Sequence, residues 1–456
     1  MDYQQENHSR QPNPRRRERS PKRLFFEAYL PVLLAVALII LVIVLIANNS
    51  RRLNQQREQQ RQESIAAQQL EDALLAAERQ KALECMEKAK AVAATYDFQA
   101  AIDILDSFGS DIFNHDDMLQ LRDSYKNTLE NMVEYTPEQV VHLSVNLLIA
   151  DAERAFRDPN YGVGYQRSFI TTKEFTNLLY ELYSNNYVLV DMDDLVDVRS
   201  DGTVSVFSPK KLRLPQGKKP LMLTETQVNY YSYMVDPDGD GKADENGAGF
   251  ASRLILENDK FVNEMVDAEG NTITGSFDVV PILEEFLLTH PDFSYHGARP
   301  ILAVTGYNGI FGYRGEALAE VTPLLQALRD KGYTIAFYTY GNADYNASTL
   351  SNIRTELKRW NERIVPTLGE TNMLVYAREA DIAAPGPYSG DKFEALYDDG
   401  YRYFLGYCTD GKPWFLAESN YIRQGRIPVS AHNLTEHADW FSGIINPSAI
   451  LEAERK

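Results

Sequence analysis

Cysteine is nearly absent: Cys85 and Cys408 are the only two in 456 residues. That excludes a disulfide scaffold and a Cys-rich metal module. Histidine is scarce too. None of the seven (His8, His115, His142, His290, His296, His432, His437) forms an HxxH or HxxxH pair. The sequence also lacks a nucleophile elbow, a P-loop and a Rossmann glycine fingerprint. Positive charge is in deficit, with 46 Lys+Arg against 65 Asp+Glu and a net charge of −19. Such acidity repels phosphates and argues against nucleic acid as a partner. What is present is a globular composition, 44% hydrophobic and 11% aromatic. The length suffices for two or three folded units with a sizeable core.

The charge deficit is unevenly placed. Residues 1–25 hold seven bases against three acids, a net +4, so the remainder carries −23. Between the two lies AYLPVLLAVALIILVIVLIA, residues 28–47, twenty uncharged residues. As a helix this spans about 30 Å, a bilayer core. Asn48-Asn49-Ser50-Arg51-Arg52 follows where a signal peptide would place a small-residue cleavage site, so a retained single-pass anchor is expected. Six bases in residues 13–27 outnumber Arg51, Arg52, Arg57 and Arg61 beyond the helix. That bias puts the N-terminus in the cytoplasm and the bulk of the chain outside. Residues 1–25 read as a disordered basic arm against anionic headgroups.

Residues 51–90, rich in Gln, Glu, Arg and Ala without Gly or Pro, predict a helical stalk. Leu53, Ile65, Leu70, Leu74 and Leu83 are sparse for a heptad seam; a stalk homodimer, with Cys85 as a bridge, stands beside a solitary helix with a free thiol. Residues 82–135 read as a helical hairpin module, a spacer or docking element. Thr136-Pro137-Glu138 marks a boundary, Pro at a helix start.

From residue 137 to 456 short apolar runs alternate with helical patterns. Strands are expected at Val188–Asp191, Leu221–Thr224, Ile301–Thr305, Thr334–Thr339, Asn372–Tyr376, Tyr401–Gly406 and Trp414–Ala417. Helices are expected at Thr172–Asn185, Val279–His290, Gly315–Lys331, Ser348–Ile364 and Gly390–Asp399. This alternation predicts an α/β fold, a parallel sheet or barrel, with its chemistry at the C-terminal ends of strands.

Two of those ends carry a resemblance. Leu214-Pro215-Gln216-Gly217-Lys218-Lys219-Pro220-Leu221-Met222-Leu223-Thr224 resembles the lead-in to the first motif of the polysaccharide deacetylase (NodB-homology) family. Gly332-Tyr333-Thr334-Ile335-Ala336-Phe337-Tyr338-Thr339-Tyr340-Gly341-Asn342 resembles its second. The phrases NYYSYM, DPDGDGKAD, DVVPIL, TGYNG and RQGR are similar to those of a membrane-anchored, cell-surface subgroup, and the likeness runs from Val140 to the C-terminus. It implies a distorted (β/α)7 barrel, preceded here by the transmembrane helix, stalk and hairpin.

The resemblance also implies where chemistry would sit. Two adjacent aspartates, a general base and a metal ligand, end the family's first strand; Thr226 and Gln227 stand there. Two histidines complete the family's metal site; Tyr338 and Asn342 stand there. The third motif appears as Ala377-Arg378-Glu379. Thr, Gln, Tyr and Asn are poor ligands for a divalent transition metal, and neither Thr nor Gln accepts a proton near neutral pH. No intact catalytic set remains, and a catalytic Zn²⁺ is not expected. The substrate-side loops survive as Tyr307, Tyr313 and Arg314, with Tyr340 and the late His432 beside them. Their aromatic faces suit sugar rings; capping the barrel is the other use for them.

A second metal pattern is better preserved, with its final ligand expected from elsewhere in the chain. Asp236, Asp238, Asp240 and Asp244 occupy positions 1, 3, 5 and 9 of a loop, with Gly241 at 6 and the Lys242 carbonyl at 7. Gly247 replaces the EF-hand glutamate at 12. A structural Ca²⁺ is expected, against a solvated acidic turn. Three functions follow: a catalytically degenerate deacetylase-like protein that binds cell-wall or surface glycan, an active metal-dependent carbohydrate deacetylase with an atypical site, or a structural protein acting through stalk and hairpin. The −23 remainder favours a neutral or acetylated glycan, within the ~10 Å reach left by screening.

Overall fold

The computed structural model describes residues 21–200, 205–242, 244 and 248–455. Two compact units divide the chain, Met1–Leu83 and Glu84–Lys456. The first twenty residues of the expected basic arm lie outside the described residues. Helix α1 runs Pro21–Ala93 and continues through Pro31. Among the described residues it is the one helix long and apolar enough to cross a membrane. From Tyr29 to Ile46 its side chains are all exposed. An apolar stretch of that length is long enough to cross a bilayer core.

In the second unit α2 (Phe98–Asp106) and α3 (Asp116–Glu130) form the hairpin. The Asp97 carboxylate caps α2 by accepting from the Ala100 N–H at 3.0 Å, and Phe98 packs on Tyr125 with ring centroids 5.7 Å apart. Cys85 donates to the Ile104 carbonyl at 3.3 Å, and burial raises its pKa. Burial pushes the Cys408 thiol up to about 12. Neither cysteine is in a disulfide.

Seven parallel strands follow: β1 (Val141–Asn146), β2 (Lys219–Thr226), β3 (Ile301–Val304), β4 (Thr334–Phe337), β5 (Met373–Val375), β6 (Tyr403–Tyr407) and β7 (Ile422–Pro428). Each pairs with the next in chain order, and β7 pairs with β1 through Ile427↔Leu143. The sheet is therefore a closed (β/α)7 barrel. Two expected strands lie off it: Tyr187–Leu189 pairs with the far side of β2, and Phe415–Ala417 runs antiparallel to β7. Two barrel strands, β1 and β7, were not anticipated from the sequence.

Alternation along each strand sorts the layers. Leu143, Val145, Leu221 and Leu223 face outward and pack under Phe175, Leu178, Val279 and Leu283. Met222, Ile301, Ala303, Ala336, Met373, Val375, Leu405 and Ile422 belong to the interior cluster. That interior also holds polar groups. His142 bonds Gln424 Oε1 through Nδ1 at 3.0 Å and Thr224 Oγ1 through Nε2 at 2.7 Å. Burial, then the nearby Arg426, pushes its pKa down to about 3. Arg426 is itself fully buried, donates to the Gly406, Tyr376 and Leu405 carbonyls, and leaves Nη1 without a protein partner.

Candidate functional site

At the C-terminal ends of the strands a cavity of about 290 Å³ opens, lined by residues from β1, β2, the loops after β4 and β5, the end of β6, and the segment after β7. This is the face where barrels of this architecture place chemistry. A larger cleft of about 930 Å³ lies at the opposite end, against Thr334, Asn372 and Tyr401, and is lined by Asp191, Asp193, Glu370, Asp398 and Asp399. That end is the one whose residues usually serve stability.

Thr226 closes β2, with Oγ1 2.6 Å from Asn146 Oδ1. Gln227 reaches the same oxygen at 3.5 Å, and Asn342 Nδ2 approaches Gln227 Oε1 at 3.5 Å, both at the weak end of hydrogen bonding. Asn146 Nδ2 donates to the Ser168 carbonyl at 3.1 Å. Tyr338 lines the cavity floor, its hydroxyl 3.4 Å from that of Tyr407. The four positions implied by the resemblance thus meet at one mouth, and they meet as an amide and hydroxyl network. Burial raises the Tyr338 hydroxyl pKa well above its usual value, so it stays protonated.

The backbone here is strained. Gln227 (φ 62°), Thr339 (49°), Asn342 (55°), Arg378 (54°) and Glu379 (57°) all sit in the left-handed region. Such conformations persist only where surrounding contacts hold them, and they gather at functional sites. Arg378 Nε donates to the Asn342 carbonyl at 2.8 Å, which ties the loops after β4 and β5 together.

The other expected site residues separate. His432 lines the cavity and accepts a hydrogen bond from Arg167 at 3.2 Å. Tyr307, Tyr313, Arg314 and Tyr340 are not among the cavity's lining residues. Tyr313 is buried under Arg253, 4.9 Å from its ring; Arg314 Nε donates to Asn308 Oδ1 at 2.7 Å; Arg363 bonds the Tyr340 hydroxyl at 3.1 Å. Tyr307 stands exposed. Asn229 fixes this wall: it accepts from the Thr305 N–H at 2.9 Å, donates to the Thr305 carbonyl at 2.8 Å and bonds the Gly309 carbonyl. Lining residues that the sequence did not single out include Asn146, Arg167, Tyr407, His437 and Trp440.

Do the residues at the mouth fit a catalytic divalent metal? They do not. Among the described residues, the group of His, Cys, Asp or Glu side chains close enough to share an ion is Asp236, Asp238 and Asp244, whose carboxylate oxygens lie within 4.8 Å of one another. Burial and the charges of Asp238, Asp236 and Asp240 raise the Asp244 pKa. Asp240, the fourth expected ligand, pairs instead with Lys242 at 2.6 Å. Gly247 lies outside the described residues.

No protein-family model matches the sequence, and no curated protein sequence matches it. Among solved structures, the Streptococcus pyogenes deacetylase PplD in complex with acetate is similar at 11% identity and a TM-score of 0.32, over 69% of this chain and 99% of that one.

Proposed function

We propose that this is a membrane-anchored cell-surface protein whose deacetylase-like barrel binds cell-envelope glycan without deacetylating it. The observation that carries the reading is the convergence of Thr226, Gln227, Tyr338 and Asn342 at one barrel mouth, three of them on one cavity. A base and a metal-binding set are what hydrolysis of an amide there would need, and these side chains supply neither. What they supply is a rim of amides and hydroxyls suited to sugar hydroxyl groups. The basic bias before residue 28 supports a cytoplasmic N-terminus, with the barrel outside. The Asp236–Asp238–Asp244 cluster supports a structural Ca²⁺ in the loop beside it.

The competing reading is an atypical metal-dependent deacetylase, favoured by His432, His437 and Glu379 lining the same cavity. Full-length protein in detergent micelles separates the two. Retention on peptidoglycan or chitin, without acetate release and without stoichiometric zinc or cobalt, supports binding. Stoichiometric transition metal together with turnover overturns it.

A further inference from the structure

The net charge of the chain is negative, yet the cavity is not. Of its lining side chains, Arg167 is a cation, His432 and His437 are imidazoles, and Glu379 is the one carboxylate. No ion pair joins Glu379 to any of the three among the described residues. Arg167 makes its contact with His432, and because a guanidinium only donates, His432 Nε2 is the acceptor. His437 is 5.6 Å from His432, ring centroid to centroid, and stacks on Trp440 at 4.3 Å. Below the floor lies Arg426, 4.4 Å from the Tyr407 ring, buried and without a carboxylate partner among the described residues. Arg167 is thus a cation with no carboxylate partner among the described residues, and Arg426 below it, held by carbonyls and the Tyr407 ring, has none either.

We propose that the corner formed by Arg167, His432 and His437 receives an anionic oxygen group of the ligand, a carboxylate or a phosphate. The inference rests on the cavity being the ligand site and replaces the neutral glycan suggested by net charge with an acidic one. An oxygen anion seated there accepts from the Arg167 guanidinium and from ring N–H groups of the imidazoles. The other charged or titratable groups facing the corner are Glu379 from the loop after β5, Arg426 from β7, and the Tyr338 and Tyr407 hydroxyls of the floor. Of these only Glu379 opposes an anion. Binding therefore weakens with added salt.

Calorimetry on full-length protein in micelles tests this with acetate, inorganic phosphate, a glucuronate-containing oligosaccharide, a glycerol-phosphate polymer and neutral chitooligosaccharide. The expected result is an acidic ligand bound at least about tenfold more tightly than the neutral one, a preference that Arg167→Gln and His437→Gln each reduce by about tenfold. Arg167 is exposed, so its replacement leaves folding intact, and an unchanged thermal midpoint checks that. The carboxylate and phosphate arms identify the anion. Free anions bound without any saccharide uphold the corner but overturn the glycan reading. Equal affinity for acidic and neutral sugars, insensitive to both substitutions, overturns the corner and keeps the glycan reading. No binding in any arm overturns both.

Discussion

Replacing Arg423 by methionine tests how the loop that carries Glu379 is held to the barrel. Arg423 is fully buried on β7, and its Nη2 lies 2.9 Å from Asp381 Oδ2. The same guanidinium donates to the Ala383, Ala384 and Gly386 carbonyls and stacks on Tyr388, 3.6 Å from its ring centroid. Asp381 also accepts from the Tyr388 hydroxyl at 2.6 Å. Despite these donors, burial keeps the Asp381 pKa above its usual value, outweighing Arg423. Desolvation of the carboxylate is therefore incompletely offset, and the pair is not a large net source of stability. Removing one partner is another matter, because it strands what remains. Arg423→Met leaves a buried carboxylate and three loop carbonyls without their donor, a loss of about 3–5 kcal/mol. Asp381→Asn keeps the shape and strands only a cation that carbonyls and an aromatic face still solvate, a loss of about 1–3 kcal/mol. Combining Asp381→Leu with Arg423→Met is expected to cost less than Arg423→Met alone, since no charge is left buried. Urea unfolding followed by tryptophan fluorescence reads all three, with Trp414 reporting locally from 5.3 Å. The reasoning fails if Asp381→Asn costs more than Arg423→Met, or if both fall below about 1 kcal/mol.

Calcium at about a hundred times its dissociation constant is expected to add about 2.7 kcal/mol of stability, lost in Asp236→Asn and Asp238→Asn but kept in Asp240→Asn, as melting curves with and without chelator will show. His142, held near 3 when folded, titrates near 6.5 when unfolded. The stability it permits is intact above about pH 6.5 and falls toward pH 3 by up to about 1.4 kcal/mol per unit, a limb that His142→Gln flattens in urea titrations. Glu225 is raised well above its usual value by burial and then by Asp278. Its contribution is full below the ordinary carboxylate range and lost as the pH rises, so Glu225→Gln should gain stability relative to the parent above about pH 7. Asn229→Ala leaves the Thr305 and Gly309 groups unpaired. It should cost about 2–4 kcal/mol and speed hydrogen exchange in residues 305–314.

The long apolar helix, the helical pair α2–α3 and five of the barrel strands were legible because their apolar spacing is undiluted. The two missed strands share one cause. β1 reads Val-His-Leu-Ser-Val-Asn and β7 reads Ile-Arg-Gln-Gly-Arg-Ile-Pro, patterns that suggest solvent on one face. In the fold that face is the barrel interior, where His142, Gln424 and Arg426 are buried and satisfied largely by one another, by Thr224 and by backbone carbonyls. Polarity in a strand signals water only when the opposite wall is not polar as well, and a single sequence does not disclose the opposite wall. The same limit explains the site. Thr226, Gln227, Tyr338 and Asn342 were placed by motif, but Asn146 and Arg167 reach the mouth from segments with no such marker.

Those two unmarked residues change what the cavity selects. If the four motif positions acted alone, the mouth would be an uncharged ring of amides and hydroxyls, indifferent to the charge of a sugar. Asn146 completes that ring by accepting from Thr226 and Gln227, but Arg167 adds a cation at its edge and orients His432 by donating to it. The neutral motif positions and the charged corner then point the same way. Carboxylates at Thr226 and Gln227 would repel an anionic ligand at this distance, whereas the neutral pair leaves Arg167 and Arg426 unopposed except by Glu379. With those side chains neutral, the fixed charges lining the cavity are Arg167 and Glu379, and the proposed acidic-ligand site draws on the first.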